Sequence, residues 1–396
     1  MLIGIIGKAN VGKSTFFKAC TLANVAIAPY PFTTLKPNIG AGYVKVECPE
    51  SKLEQLKGKK CKPNHGYCLN GERFVPFKLI DVAGLVPEAY LGKGRGNEFL
   101  NDLIEADLFI HILDASGKTD EHGEITEGYD ISKDIIFLEK EIDMWIKGIL
   151  IRNWKSLERK AQSSSLTKEI TQQLSGLKIK EEDVKKIILK LELDEKGGWT
   201  DLDLFKFSTH VRKISKPMII AANKSDLPES KENILELQKR FPDLLVIPCS
   251  SDYEVALREA SKFGLIDYIP GNNNFEIKNQ GKLKPEQIKA LEKIQNFLKE
   301  NKNTGVQSCL NTAVFDFLKF IVVYPVENEH HFSDSKGNIL PDAFLLPPES
   351  TALDLAFAVH TDIGNKFIGA IDCKTGKRLG KESKLKDGDI AKILTK

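Results

Sequence analysis

Between residues 131 and 149 apolar side chains recur at Ile131, Ile135, Leu138, Ile142, Trp145 and Ile149, with acids and lysines between them. Steps alternating between four and three residues mark the a/d seam of a helix. A second helical stretch follows the serines at 163–165, with Ile170, Leu174 and Leu177 on one stripe, and EEDVKKIILKLEL at 181–193 supplies a third. Elsewhere the pattern changes. LIGIIG (2–7), FKLIDVAG (77–84), DLFIHILDAS (107–116), KPMIIAANKSD (216–226) and LLVIPCSS (244–251) are short continuous apolar runs bounded by Gly, Asp, Lys or Ser. Their length and flanks fit buried strands. Such strands, separated by helical stretches, predict an α/β fold with a mostly parallel sheet.

The helical stretches interrupt that alternation and read as an inserted domain, an antiparallel hairpin packed on its own seam. LKPEQIKALEKIQNFLKEN (283–301) is a polar helix that reads as a connector. Beyond it come the strand FLKFIVVYPV, a turn SDSKGN, FLLPPES, and TALDLAFAVH, where Thr351 and Asp354 make a capping-box helix start. FIGAID, a KTGK turn and LKDGDIAKIL complete a compact α+β domain. The expected organisation is a sheet domain at 1–116 and 206–275, a helical insertion at 117–205, a helical connector at 276–310 and the α+β domain at 311–396.

Composition changes this picture little. A chain of 396 residues has room for two or three cores, and a net charge of +2 names no polyanion partner by itself. No apolar run reaches 18 residues, so no membrane span is expected, and MLIGIIG opens without a basic leader, which points to the cytoplasm. Seven cysteines, an odd number, do not form a disulfide framework. Cys48, Cys61, His65 and Cys68 lie close together, but spacings of 13, 4 and 3 match no common zinc finger or knuckle. They read as reduced cysteines and a loop histidine.

Chemistry concentrates at three strand ends. GKANVGKST (7–15) fits G-x-x-x-x-G-K-[ST] with Gly7, Gly12, Lys13 and Ser14 between a strand and a helix. Glycines let the backbone N–H groups of this loop, Val11 and Thr15 among them, wrap phosphates. Lys13 reaches the β- and γ-phosphates and Ser14 offers a hydroxyl to Mg²⁺. Asp81 in DVAG is placed to hold Mg²⁺ through water, and Gly84 to give its N–H to the γ-phosphate. In NKSD, the Asp226 carboxylate matches the N1–H and N2 amino donors of guanine, which adenine lacks. Lys224 is placed along the base, Asn223 ties this loop to the phosphate loop, and Ser250 presents a backbone N–H to the guanine oxygen. The nucleotide this order predicts is GTP.

Three motifs in this order resemble the Ras-like P-loop GTPases, and more closely the Obg-related branch with its YchF-like members. NVGKST followed by PYPFTTLKPNIG (29–40), DVAGLVPEAYLGKGRGNEFL (81–100), and LPPESTALDLAFAVHTDIGNKFIGAID with LKDGDIAKIL carry the resemblance. The last of these is similar to TGS domains, a β-grasp module. The resemblance implies a Ras-like domain with an inserted helical domain and a C-terminal TGS domain. It implies Thr34 as the switch threonine closing on Mg²⁺ and γ-phosphate, and the ribosome or its RNA as partner, in translation or ribosome assembly. No membrane partner is implied, and the chain is expected as a monomer or weak oligomer. Several YchF-like proteins carry glutamate where Asp226 stands and use ATP; aspartate here resembles the GTP-specific archaeal forms.

One departure from the general GTPase pattern bears on catalysis. Leu85 follows DVAG where a water-orienting glutamine is sought, and an apolar side chain cannot orient water. Help must come from elsewhere: from a K⁺ ion at Asn10, or from a partner that orders the Gly92–Gly96 stretch. Asn10 reads equally as a loop residue bonding its own backbone. The expected activity is slow GTP hydrolysis as a regulatory switch. Two other classes stay open: an interaction module with negligible turnover, for which Leu85 argues, and an ATP-using hydrolase. A metabolic kinase is disfavoured by the guanine-reading NKSD.

Overall fold

The computed structural model describes residues 1–22, 38–82, 102 and 104–396. Two compact units emerge, one of residues 1–17 and 79–252, the other of 18–78 and 253–396. In the first, β1 (Leu2–Ile6), β5 (Leu108–Asp114), β6 (Met218–Asn223) and β7 (Val246–Pro248) pair in parallel in that order. Residues 79–81, the end of β4 (Glu72–Asp81), lie on the other side of β1, and Val82 N donates to Ile5 O at 3.0 Å. β5 and β6 are buried at every position, as strands covered on both faces must be. Their register aligns Asp114 with Asn223, so the strand ends that carry polar residues share one edge. In open α/β sheets that edge is where ligands bind.

The helical segment of this unit is more than a hairpin. The helix Ser132–Ile151 packs against Asp201–Ser215, while Trp154–Ala161, Leu166–Gln173 and Glu181–Lys190 lie between them in sequence. The expected seam buries Ile135, Leu138, Ile142 and Trp145, but Ile149 is only half-buried and Ile146 and Leu150 take its place. A straight helix drifts against a strict seven-residue repeat, so the buried stripe rotates over its length. Between these two helices, Arg212 donates to Asp143 at 2.7 Å and to Glu139 at 2.8 Å. The helix Asp201–Ser215 runs across position 205, where the sequence placed a domain boundary.

In the second unit β3 (Tyr67–Leu69) pairs antiparallel with β4, and β2 (Ile39–Glu47) flanks β4 on its other side. Tyr43, Tyr67 and Phe74 form a small aromatic core there. β8 (Ile266–Asp267) and β9 (Glu276–Ile277) form a short antiparallel pair. The helix Pro285–Asn301 is no bare connector: Leu291, Ile294 and Leu298 are buried with Leu257, Ile266, Tyr268 and Phe275. Its polar composition hides one apolar stripe at helical spacing.

The C-terminal part holds a five-stranded sheet of β10 (Ile321–Val326), β11 (Phe344–Leu346), β12 (Phe367–Asp372), β13 (Arg378–Leu379) and β14 (Ile390–Thr395), in the order β11-β10-β14-β12-β13. β10 and β14 run parallel, the mark of a β-grasp, and the helix Ala352–Val359 covers the sheet with Leu355 against Val323, Leu346 and Ala391. The expected capping box is present, Asp354 N donating to Thr351 Oγ1 at 3.3 Å and Thr351 N to Asp354 Oδ2 at 2.7 Å. Among the described residues no helix is long and apolar enough to cross a membrane.

Candidate functional site

The phosphate loop leaves β1 at Gly7 and enters the helix Lys13–Thr21. Gly12 has φ +93, and a Cβ there would come 2.3 Å from Asn223 Nδ2, so only glycine fits. The same Asn223 amide donates to Val11 O at 2.8 Å, while its Oδ1 accepts from Ser251 N at 3.0 Å and Ser251 Oγ at 2.8 Å. One buried side chain thus ties the phosphate loop, the end of β6 and the segment after β7.

Lys13 Nζ donates to Lys8 O at 3.0 Å. Burial lowers the pKa of its ammonium, and the nearby Asp81 carboxylate opposes that shift. Asp81, conversely, is raised above the usual carboxylate range by burial, with Lys13 pulling it back. Asp81 Oδ1 is buried and has no hydrogen-bond partner among the described residues. An orphaned carboxylate oxygen and the exposed hydroxyl of Ser14 on the first helical turn are hard oxygen donors, the set Mg²⁺ prefers. Thr15 follows on the same turn. Asn10, with φ +60, donates from Nδ2 to Gly123 O at 2.9 Å, so its amide reaches the backbone of another loop.

At the base-reading end, Ser250 Oγ donates to Asp226 Oδ1 at 2.7 Å, fixing the carboxylate. The side chain of Ser250 is thereby engaged, a contact beyond the backbone role read from sequence. Lys224, with φ +59, donates to Asp114 Oδ2 at 2.8 Å. Burial pushes Asp114 up, but hydrogen bonds from Lys224 and Ser116 outweigh it and hold the carboxyl below its usual range. Thr34, Gly84, Leu85 and residues 92–96 lie outside the described residues.

A profile described as "50S ribosome-binding GTPase" matches residues 2–143, one described as "Obg-like GTPase YGR210-like, G4 motif-containing domain" matches 221–328, and a TGS domain profile matches 336–395. An uncharacterized GTP-binding protein of Methanocaldococcus jannaschii is 50% identical over 396 residues, covering 100% of this chain and 99% of its own. The chain belongs to the Obg-like, YchF-type family of P-loop GTPases. A crystal structure of a GTP binding protein from Pyrococcus horikoshii OT3 matches this Obg-like GTPase with a TM-score of 0.74 and 38% identity, over 100% of both chains. The protein named "Ribosome-binding ATPase YchF" in Buchnera aphidicola subsp. Schizaphis graminum is 27% identical over 99% of this chain and 98% of its own. Membership makes nucleotide the ligand of the site.

Two features of this Obg-like GTPase escaped the sequence. Lys8, inside the phosphate loop, is buried; its Nζ donates to Thr119 O at 2.9 Å, pairs with Asp134 at 2.9 Å and lies 3.9 Å over the Tyr129 ring. Tyr129 OH donates to the same carboxylate at 2.9 Å. The loop is therefore braced from the start of the helical segment. A lysine between two small residues carries no signal of burial, and Asp134 is far away in sequence.

His111 on β5 is the second. Burial, aided by the charges of Lys8 and Lys13, pushes its pKa down to about 3, so it is neutral in the native state. Unfolded, it titrates near 6.5. Between those values the unfolded chain binds the extra proton, so stability falls as pH drops, by up to about 1.4 kcal/mol per unit from this group. Urea melts of wild type and His111→Leu at pH 7, 5.5 and 4.5 check this: the variant should lose less stability on acidification. Parallel losses would remove His111 from the account.

Proposed function

We propose that this Obg-like GTPase hydrolyses GTP to GDP and phosphate as a slow regulatory switch, with the ribosome as its partner. The observation that carries the base preference is the Asp226 carboxylate, held by Ser250 on a loop that Asn223 fastens to the phosphate loop. Guanine offers two donors to that carboxylate; adenine would leave it facing an acceptor. Gly7, Asn10, Val11, Gly12, Lys13, Ser14 and Thr15 form the phosphate cradle, with Lys13 bringing positive charge to the transferring group. Ser14, Asp81 and Thr34 are the Mg²⁺-side residues, and the ion, when bound, neutralises charge between the phosphates. Gly84 and Thr34 sense the γ-phosphate and release on hydrolysis.

The same reading assigns residues 1–116 and 206–275 to nucleotide binding and 117–205 to an inserted helical domain, with the helix Asp201–Ser215 shared across that boundary; 276–310 is the connecting region, its helix packed into a core of its own, and 311–396 the TGS-like domain. The ribosome as partner draws on the "50S ribosome-binding" description of the N-terminal profile and the name of the Buchnera relative. It also draws on the exposed Lys366, Lys374, Lys377, Arg378, Lys381 and Lys384 of the tail, of which Lys384 pairs with Glu349 and Lys381 with Glu382. A soluble, cytoplasmic protein follows from this partner. Phosphate release from GTP should rise at least about tenfold on adding ribosomes of the source organism, if the partner completes the site that Leu85 leaves short of a water-orienting group. Unchanged turnover would remove the ribosome from the proposal.

We assign the remaining catalytic help to K⁺ held by Asn10. Wild type should then turn over on the order of tenfold faster in K⁺ than in Na⁺, and Asn10→Ala should erase the difference. If the variant keeps its cation dependence, Asn10 is a loop brace through Gly123 and nothing more. An ATP-using reading is favoured by the names of ATPase relatives, and opposed by aspartate at 226.

A further inference from the structure

We propose that Cys48, Cys61 and Cys68, completed by the Glu50 carboxylate, form a structural zinc site. Their ligand atoms all lie within 4.8 Å of one another. A tetrahedral ion with metal–sulfur bonds of about 2.3 Å sets its sulfurs about 3.8 Å apart, so small side-chain movements close the shell. The ligands come from separate pieces of chain: Cys48 and Glu50 bracket the start of the short helix Pro49–Lys52, Cys61 lies in the following loop, and Cys68 sits on β3. Cys48 is buried, and the other three are half-buried.

Internal contacts already orient the group. Cys68 Sγ donates to Glu50 Oε1 at 3.4 Å, and the backbone N–H of Cys61 donates to Glu50 Oε2. Arg73, wholly buried, approaches Cys61 Sγ at 3.6 Å and donates to Leu340 O at 3.0 Å. Three thiols and a carboxylate converging on one point repel once ionised, and a single guanidinium at the edge offsets only part of that charge. A divalent cation at the centre supplies the rest. Thiolates select soft or borderline ions, which excludes Mg²⁺ and Ca²⁺, and a mixed sulfur and oxygen shell suits Zn²⁺. A disulfide would use two of the three sulfurs and leave the third, with Glu50, unexplained.

His65, the imidazole that sequence proximity offers, is turned to Asp342, with Nδ1 at 2.9 Å from Oδ1. Glu50 takes the fourth place instead. The shell is closed, four protein ligands with no open position, which marks a structural rather than a catalytic ion. What it would hold is the loop 57–66, which has little regular structure and docks on residues 339–342 through Lys62 N to Ile339 O at 2.9 Å and Asn64 N to Pro341 O at 2.7 Å. Chelation replaces the apolar core this loop lacks.

The test is metal analysis of the full chain, expressed with zinc in the medium and purified under reducing conditions without chelator. Wild type and Cys373→Ser should carry about one zinc per chain, and Cys61→Ser and Cys68→Ser less than about a tenth of that. X-ray absorption of the wild-type protein, which needs no variant to fold, should show three sulfurs at about 2.3 Å and one oxygen near 2.0 Å. Zinc absent from wild type even after zinc is added, zinc retained by Cys61→Ser, a nitrogen-dominated shell, or a disulfide among these cysteines in the reduced protein would each overturn the proposal.

Discussion

Asp226→Asn should weaken GTP binding by about 10²- to 10³-fold and strengthen binding of xanthosine triphosphate by a comparable factor. The carboxylate is acceptor-only, and both guanine donors can point at it; the amide offers one acceptor and one donor pair. Guanine's N2 amino group then meets another donor. Xanthine carries a carbonyl at that position and accepts from the amide. Ser250 Oγ, 2.7 Å from Asp226 Oδ1, can donate to either side chain, so the loop keeps its place. Competition with a fluorescent nucleotide measures both affinities. Unchanged GTP affinity in Asp226→Asn would mean that the base is read elsewhere.

Lys13→Ala should lower single-turnover phosphate release by about 10³-fold, with a smaller loss of GTP affinity. Positive charge on a transferring phosphoryl group matters most where water is excluded, and Lys13 is half-buried, its ammonium held by Lys8 O and facing Asp81. Removing it also leaves the half-buried Asp81 carboxylate, whose Oδ1 is shielded from solvent, without its compensating charge. A thermal melt run beside the kinetics separates that structural cost from the catalytic one. Turnover within a few-fold of wild type, in a protein that melts normally, would show that the loop lysine does not act on the transferring group.

Local features of the chain announced themselves. β5 and β6 were legible because a continuous apolar run bounded by turn residues has few other solutions. Gly12 and Asn223 were legible because each residue type answers one local demand: a backbone that must turn with φ positive, and an amide that can both donate and accept. Long-range pairings were not. Nothing near Lys8 names Asp134 as its partner, and nothing in the seam from Ile131 says that its main mate is the helix Asp201–Ser215. The cysteine group shows the same limit. Closeness along the chain grouped His65 with the cysteines and their spacing spoke against a metal, whereas the fold turns that ring to Asp342 and brings Glu50 to the sulfurs. Sequence proximity picks candidates by distance along the chain, and the fold sorts them by direction.

Side-by-side rates of phosphate release from GTP and from ATP, in one buffer with Mg²⁺ and K⁺, test the central claim most directly. A carboxylate at 226 predicts kcat/KM for GTP at least about 100-fold above that for ATP. Equal rates, or faster release from ATP, would contradict the guanine reading, and release from neither would leave a nucleotide-binding module in place of the switch.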